Sequence, residues 1–460
     1  MTAEMVVMNR SAVALAADSA VTISGPTPDG GQIQKIYANA NKVFELIRGR
    51  PVGIMIYNSA DLVQVPWETL VKIYRNQRPE ASFDTLKAYL EDFVEFLHEN
   101  CAELIPESAR RIFNQIAVAN LANSIVEAAE HRAHEAVTEG EWPRLNAELR
   151  KKMLTDVLQE IEDGATSTPV AGWAADLDED ALVKRYGSDL IKSVPGRIQG
   201  SPLTKTIRIR VLKAALSFIL RNSETPSVTG IVIAGFGATE VFPSCLHLKV
   251  GGIFADRLVV SDIEVYEVTA EQPSIIRPFA QTSEATTFLF GIDPAMKREI
   301  EIWWGEWLNE RLGPAAERIV QREIPGLDKA KLEEVSKTFS RFGRASWTLF
   351  ARFMNELHSN LRYGPIETSA AFLSKGEIAG LAENMVNLAT LRNRVSIDRD
   401  ETVGGATDVA VISPGDGFVW IKRKHYFNLE TNPTWASRQW AAGVVSSYGP
   451  PSEGTSDGSA

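Results

Sequence analysis

Residues 2–18 read TAEMVVMNRSAVALAAD, two apolar segments of equal length on either side of a polar turn. Continuous apolar runs of this length, bounded by turn residues, are typical of buried strands. The pattern predicts an antiparallel hairpin that is symmetric about Arg10. In that register Thr2 lies directly opposite Asp18, so that the chain start and a carboxylate share one edge of a sheet.

Residues 42–58 read KVFELIRGRPVGIMIYN and repeat this pattern around a glycine and a proline. The second hairpin is predicted to turn near Gly49, and this register sets Lys42 opposite Tyr57 and Asn58. An ammonium group and two backbone N–H groups are therefore expected to lie together where the strand ends.

These groups suit acyl transfer from an amide. A threonine hydroxyl is a weak nucleophile and needs a base; the α-amine of the same residue, with a reference pKa of about 7.7–8.0, can be that base once Met1 is removed. Lys42 can lower the cost of forming the alkoxide, and Asp18 can hold Lys42 in place. A backbone N–H at Tyr57 or Asn58 can stabilise the tetrahedral oxyanion, and one such donor is worth roughly 2.7–4 kcal/mol in hydrolases.

Four segments carry a resemblance to a known family. They are Thr2, AVALAADSAVT at residues 12–22, KVFEL at 42–46 and VGIMIYNSAD at 52–61. In order and spacing, apart from a longer loop before Lys42, they resemble the opening of proteasome β subunits and of their bacterial relatives, the two-tiered ring protease and the Anbu group. The resemblance implies a four-layer αββα sandwich of the N-terminal-nucleophile (Ntn) hydrolase class.

The resemblance also implies roles for individual residues. Thr2 would be the nucleophile, with Asp18 and Lys42 as its partners. Thr22 would contact an extended substrate through its backbone, and Met55 would line the specificity pocket.

Tyr57 and Asn58 stand where the family usually has small glycines. Either residue still offers the amide for the oxyanion, because every residue except proline carries a backbone N–H. The side chain of Tyr57 either closes the substrate cleft or points away from it.

A second block, RDETVGGATDVAVI at residues 399–412, is similar to the family segment in which an Asp and a Ser precede Gly-Gly and a strand. Asp400 corresponds to the family's second acid. The place of the serine falls on Thr402 in one register and on Val403 in another.

A third block, AQTSEATTFLFG at residues 280–291, sits where the family has a Gly-Ser-Gly turn that enters a helix. Ser283 or Thr282 takes the place of that serine.

Strands at both ends of the chain need each other to complete a sheet, which favours one composite α+β domain over residues 1–445. The predicted core segments are residues 2–77, 228–292 and 395–425. Apolar residues at helical spacing predict two large helical insertions, at about 83–220 and 294–391. The Ser-, Gly- and Pro-rich residues 446–460 predict a disordered tail.

Local patterns predict the elements around the candidate site. Residues 58–61 are predicted to cap a helix that carries Trp67 and Tyr74. Strands are predicted at Ala3–Met8, Ala12–Ala17, Lys42–Ile47, Val52–Tyr57, Gly230–Ala234, Leu246–Val250, Leu258–Val268, Ile275–Phe279, Asp408–Ser413 and Phe418–Ile421.

The composition excludes several classes of function. The 48 basic and 59 acidic residues give a net charge of -11, which lacks the basic excess of nucleic-acid-binding proteins. Cys101 and Cys245 are far apart, and His131 and His134 lack a third ligand, so no disulfide framework, metal or other cofactor is predicted. No signal peptide or membrane-spanning segment is recognised, and a cytoplasmic protein without membrane partners is expected.

The predicted substrate is a peptide or another amide. Family members assemble into rings, so the resemblance implies a homo-oligomer, whose unfolding partner the sequence does not identify. Two other functions stay open. One is a catalytically inactive scaffold or binding subunit, which Val403 and Tyr57 favour; the other is an amidase of the wider class that acts on a small molecule. An open, extended cleft would favour peptides.

Overall fold

The computed structural model describes residues 3–26, 32–37, 40–221, 228–395 and 404–425, together with residues 427, 428, 431, 432, 434 and 437. For residues 22–26 and 32–36 it describes the backbone alone. Three predicted site residues, Thr2, Asp400 and Thr402, lie outside the described residues, as does the predicted tail.

The strands run antiparallel wherever their register is known. They are β1 Ala3–Asn9, β2 Ala12–Ala17, β3 Val21–Pro26, β4 Gln32–Tyr37, β5 Val43–Glu45, β6 Val52–Asn58, β7 Asp61–Leu62, β8 Val65–Pro66, β9 Arg197–Ile198, β10 Ser201–Pro202, β11 Thr229–Gly235, β12 Ser244–Phe254, β13 Arg257–Val260, β14 Glu264–Glu267, β15 Ser274–Ala280, β16 Asp408–Ser413 and β17 Gly417–Lys422. Nine of the ten strands predicted from sequence are confirmed: β2 and β16 have the predicted bounds, β5 is shorter, and the other six are longer. The tenth, predicted at Leu258–Val268, is instead two strands, β13 and β14, because residues 261–263 between them are not in a strand.

The helices fall in two blocks between the strands, as the helical spacing predicts. They are α1 Trp67–Gln77, α2 Leu86–Leu104, α3 Glu107–Thr138, α4 Ala147–Ser167, α5 Glu179–Leu190, α6 Lys205–Arg221, α7 Ser283–Phe290, α8 Pro294–Glu306, α9 Leu312–Glu323, α10 Lys329–His358, α11 Gly364–Ala370 and α12 Lys375–Val395. Short 3₁₀ turns occur at Gly172–Ala174 and Ile191–Ser193, and single π turns at Trp307–Arg311 and Ser359–Tyr363. Among the described residues, no helix has both the length and the apolar composition needed to cross a bilayer.

The chain divides into two compact units. The first comprises Met1–Asn39, Glu267–Val411 and Trp420–Arg423; the second comprises Ala40–Tyr266, Ile412–Val419 and Lys424–Ala460.

The first unit is built on a sheet of strand order β15-β1-β2-β16-β17. One face of β1 and β2 packs on α12, with α7 and α11 in the same apolar cluster. The strands present small side chains on this face, mostly alanines such as Ala14 and Ala16, so a helix can approach closely. The opposite face, which carries Val6, Met8 and Leu15, is also fully buried.

The second unit is built on a sheet of strand order β13-β12-β11-β6-β5, with β14 paired to β12. Alternate residues such as Ile54, Ile231 and Leu248 pack with α1 and α2 in one cluster. Residues of the other face, including Met55 and Val232, are buried too. Most of the buried residues of helices α3 to α6 form a second cluster, which meets the sheet at β12 and β13.

Two helices of the predicted insertions therefore pack directly on the sheets. Helix α12 lies on β1 and β2, and α2 lies on β11, β12 and β13. Helical periodicity cannot distinguish such a helix from its neighbours, because it reports that one face is buried and not what buries it.

The predicted register of the first hairpin is wrong by one residue. Glu4 pairs with Ala17 and Asn9 with Ala12, so it is Ala3 that meets Asp18. Asn9 is held in the strand by two side-chain hydrogen bonds. Its Nδ2 donates to Ala370 O at 3.1 Å, and its Oδ1 accepts the N–H of Ser11 in the turn.

The second hairpin is also shifted from the prediction. Its register is centred on Gly49, whose φ of +69° favours glycine, and Lys42 O accepts the Ile56 N–H at 3.0 Å. Lys42 thus faces Ile56 and not Tyr57 or Asn58. The following helix begins at Trp67, because residues 61–66 form the small hairpin β7–β8.

Candidate active site

The Asp18 carboxylate is the best-defined element of the candidate site in the first unit. It follows β2 directly and is 1% exposed. Oδ1 accepts the Ala3 N–H at 3.1 Å, while Oδ2 accepts the N–H groups of Ala20 at 3.2 Å and Gly404 at 3.0 Å. Three charge-assisted hydrogen bonds replace the water that the buried carboxylate has lost.

The glycine pair of the second family block lies beside this carboxylate. Besides the bond from Gly404 N, Ser19 N donates to Gly404 O at 3.2 Å, and the Ser19 hydroxyl donates to Ala406 O. Gly405 has a φ of +81°, which only glycine adopts readily. The turn at residues 404–406 is therefore fixed to the end of β2 by both main-chain and side-chain bonds.

The third family block starts on the other side of β1. Ala280, the last residue of β15, pairs with Ala3 and has a φ of +62°, which is strained for alanine. Ser283 begins α7 three residues later, but its hydroxyl donates to Glu284 Oε2 at 2.7 Å. Glu284 is in turn paired with Arg392 at 3.3 Å. The hydrogen bond of Ser283 is thus directed along its own helix.

In the second unit, Lys42 immediately precedes β5 and is 4% exposed. Lysine is rarely buried to this extent, so the burial of Lys42 distinguishes it from an ordinary surface lysine. At the far end of the same strand, burial raises the pKa of the Glu45 carboxyl, although the Gly49 N–H that it accepts at 2.8 Å acts in the opposite direction.

The Tyr57 side chain is packed on its own sheet. It pairs with Gly230 on β11, where a Cβ atom would lie 2.0 Å from the ring. Its hydroxyl lies 2.7 Å from His247 Nε2, and the two rings are stacked with centroids 5.8 Å apart. His247 Nδ1 lies 3.3 Å from Glu264 Oε2. The absence of a side chain at Gly230 therefore leaves the space that the Tyr57 ring occupies.

The two candidate oxyanion amides differ in direction. N–H groups alternate between the two edges of a strand, and Ile56 N–H points to Lys42 on the β5 side. The N–H of Asn58 therefore points to that same side, and the N–H of Tyr57 points toward β11. Because β5 starts at Val43, no residue of β5 pairs with Asn58. Asn58 is exposed and has a φ of +65°, a conformation that asparagine tolerates.

The remaining predicted residues lie in two different environments. Met55 is fully buried between Val43 and Val232 in the sheet of the second unit. Thr22 belongs to β3, where its backbone pairs with Ile36 of β4. In the described backbone this hairpin is a sheet of two strands, so β3 keeps one edge without a strand partner.

Sequence reasoning missed Glu4 and Ser19. Glu4 is 2% exposed in the middle of an apolar strand, and Ser19 is fully buried. A single acidic residue inside the run AEMVVM was the available signal for Glu4, because a carboxylate is rarely placed in a strand that is buried on both faces.

Two other polar clusters have structural roles. His131 and His134 pair with Glu135 and Glu130 on an exposed helix surface, and no group of three potential metal ligands occurs there. The turn after β11 is held by Glu240, whose Oε2 accepts the N–H of Gly237 at 2.6 Å.

No known protein-family model matches the chain, and no curated protein is similar enough in sequence to be matched to it.

Proposed function

We propose that this protein is an Ntn threonine hydrolase that cleaves a peptide or another amide through Thr2, exposed by removal of Met1. The hydroxyl oxygen of Thr2 attacks the carbonyl carbon, and the α-amine of the same residue takes the hydroxyl proton. The tetrahedral intermediate then expels the amine half of the substrate, which leaves with that proton. Water hydrolyses the resulting ester and restores the free hydroxyl.

One observation carries this proposal. The buried Asp18 carboxylate accepts hydrogen bonds from Ala3 N and from Gly404 N. Ala3 N is covalently bonded to Thr2, and Gly404 follows Thr402 by two residues and Asp400 by four. A structural aspartate at the end of a strand needs neither neighbour. The joint hydrogen bonding therefore supports a shared role for the chain start, Asp18 and the segment 399–412.

Lys42 and Asn58 complete the proposed chemistry. Burial of Lys42 supports its assignment as the cation that lowers the cost of forming the Thr2 alkoxide. Of the two predicted oxyanion donors, Asn58 has an N–H that points away from β11 to the side where β5 has ended. We therefore assign the oxyanion contact to Asn58 N. Asp400 is proposed as the second acid, with Thr402 or Ser283 as the auxiliary hydroxyl.

The four-layer αββα sandwich is part of the same proposal. Each sheet has one face packed on helices and a second face that is equally buried. In a sandwich of this class each sheet is covered on both faces, by helices on one and by a second sheet on the other.

The free edge of β3 supports an extended substrate. An extended peptide can add to such an edge through main-chain hydrogen bonds, and Thr22 is the residue proposed to make them.

A small amide is the second candidate substrate. Met55, proposed to line the specificity pocket, is fully buried, and Tyr57 occupies the space above Gly230. Both observations favour a short acyl group over a bulky side chain. The catalytic role of Thr2 is the same for either substrate.

The test is hydrolysis of a panel of fluorogenic peptides and of simple amino-acid amides by the full chain. We expect turnover by the wild type, reduced turnover by Thr2→Ser and none by Thr2→Ala. Equal turnover by the wild type and Thr2→Ala would reject the proposal, and a folded wild type without turnover on any amide would favour the scaffold function.

A further inference from the structure

Residues 294–358 form an antiparallel helical hairpin in the first unit. Helix α8, the π turn and α9 run continuously, and α10 returns beside them. The pairing is set by Lys297 Nζ, which donates to Asn355 Oδ1 at 2.8 Å, and by Gly343, where a Cβ would lie 1.9 Å from Leu308 O. Small residues at the crossing let the two backbones approach closely.

This hairpin buries very little of its own apolar surface. No residue of α8 is buried, and α10 buries only Leu332 and Gly343. Seven large apolar side chains with exposed fractions from 37% to 65% form the surface that we name the hairpin face. They are Met296, Ile300, Trp303, Trp307, Phe342, Leu349 and Phe353.

The seven side chains lie on one side of the hairpin. On α8 the contact with α10 is made by Trp304, and Trp303 precedes it. On α10 the contacts are made by Gly343 and Phe350, and Phe342 and Leu349 precede them. In an α-helix each residue is rotated by about 100° from the next, so a residue that precedes a contact residue lies about 100° away from the contact. Because the two helices are antiparallel, this rotation places the preceding residues of both helices on the same side of the hairpin.

The size of the hairpin face fits an interface. With about 200 Å² for a fully exposed aromatic side chain, its four rings alone expose about 400 Å². The largest apolar patch of a typical monomer is about 300–600 Å² in total, and one side of a standard interface covers about 800 Å². The three aliphatic side chains and a polar rim bring the hairpin face into that second range.

Charge at the rim indicates which partner fits. Glu299 precedes Ile300 at the α8 edge, and Arg352 precedes Phe353 at the α10 edge; both are exposed and neither makes an ion pair within the described residues. At the level of these two residues the edges thus have opposite charge. The two residues also lie at one level of the hairpin, because Lys297 is level with Asn355.

We propose that the hairpin face binds the hairpin face of a second copy of this chain. With a two-fold axis parallel to the helices, α8 of one copy faces α10 of the other, and the four helices form a bundle. In this arrangement Glu299 of each copy lies level with Arg352 of the other. A two-fold axis perpendicular to the helices would instead place α8 opposite α8 and α10 opposite α10, so that edges of the same charge would meet. The proposal does not depend on the hydrolytic function proposed above.

Sedimentation velocity of the full chain at micromolar concentration tests this pairing. We expect an assembly whose dissociation constant rises about tenfold in Arg352→Glu and in Glu299→Arg. The double variant Glu299→Arg/Arg352→Glu should return to within about twofold of the wild type, because it restores each pair with reversed sign. Arg344→Glu, the same charge change on the opposite side of α10, should leave the constant unchanged.

An apolar variant separates this surface from any other contact between copies. Leu349→Asp/Phe353→Asp should remove the assembly and leave the far-ultraviolet circular dichroism unchanged, because both side chains are exposed. A wild type that stays monomeric, or a charge swap that does not restore association, would overturn the proposal. Flotation of a monomeric wild type with phosphatidylserine vesicles would also overturn it, in favour of a lipid surface.

Discussion

Replacing Asp18 by asparagine separates the charge of the carboxylate from its shape. The carboxylate accepts one N–H at Oδ1, from Ala3, and two at Oδ2, from Ala20 and Gly404. Asparagine keeps one accepting oxygen, so its better orientation retains the two bonds at the Oδ2 position and turns its NH₂ group toward Ala3 N–H. One buried donor left without an acceptor costs about 1–3 kcal/mol. We therefore expect Asp18→Asn to lower the free energy of unfolding by about 2 kcal/mol.

Asp18→Ala removes both acceptor oxygens, leaves all three N–H donors without this acceptor and should cost about 4 kcal/mol or more. The assay is urea unfolding followed by tryptophan fluorescence and circular dichroism. Asp178→Asn is the matched control, because Asp178 is a solvent-exposed N-cap of α5 and asparagine caps a helix about as well as aspartate. Its expected change is within ~0.5 kcal/mol. The reasoning is refuted if Asp18→Asn is as stable as the wild type, or if alanine costs no more than asparagine.

Three further changes test other parts of the account. Gly230→Ala should lower the unfolding free energy by about 2 kcal/mol, because its Cβ would meet the Tyr57 ring at 2.0 Å; an equal loss in a Tyr57→Ala background would contradict this reason. Glu45→Gln should raise the thermal midpoint at pH 8 and not at pH 4. Burial raises the pKa of Glu45 in the folded state, so ionisation of this carboxyl destabilises the fold as the pH rises. A gain at both pH values would contradict this explanation. Asp293→Ala should cost about 1 kcal/mol in thermal unfolding, because it removes the N-cap of α8; an unchanged midpoint would count against that cap.

Strand positions follow from the sequence because they depend on local chemistry. The apolar run of β2 and the turn residues around it fix that strand to its observed bounds. The same holds for β16, whose hairpin turn is marked by a proline and two glycines. Short apolar runs bounded by turn residues are typical of strands that are buried on both faces.

Register could not be predicted to the residue. The symmetric reading of the first hairpin treats Asn9 as a turn residue, whereas its side chain bonds to Ala370 O and Leu373 O, far away in sequence. These bonds hold Asn9 in the strand and move the partner of Asp18 from Thr2 to Ala3. A tertiary contact of this kind leaves no mark in local composition.

The candidate site was predictable only in part. The sequence marks Asp18 and the Gly404-Gly405 pair, and the structure adds the hydrogen bond from Gly404 N–H to the Asp18 carboxylate. The packing of Tyr57 against Gly230 and His247 required the register of three strands, which only the coordinates supply. The exposed apolar surface of α8 and α10 could not be predicted either, because the sequence does not distinguish an exposed Trp303 or Phe342 from a core residue.

Mass spectrometry of the intact protein after treatment with an epoxyketone and with a β-lactone tests the central claim most directly. The β-lactone acylates a nucleophilic hydroxyl, whereas the epoxyketone closes a ring only with a hydroxyl and an amine of one residue, so the pair reports an N-terminal threonine. The account predicts a chain that lacks Met1 and carries one adduct from each probe, with both adducts lost in Thr2→Ala. A folded chain that retains Met1 or stays unmodified by both probes would contradict it.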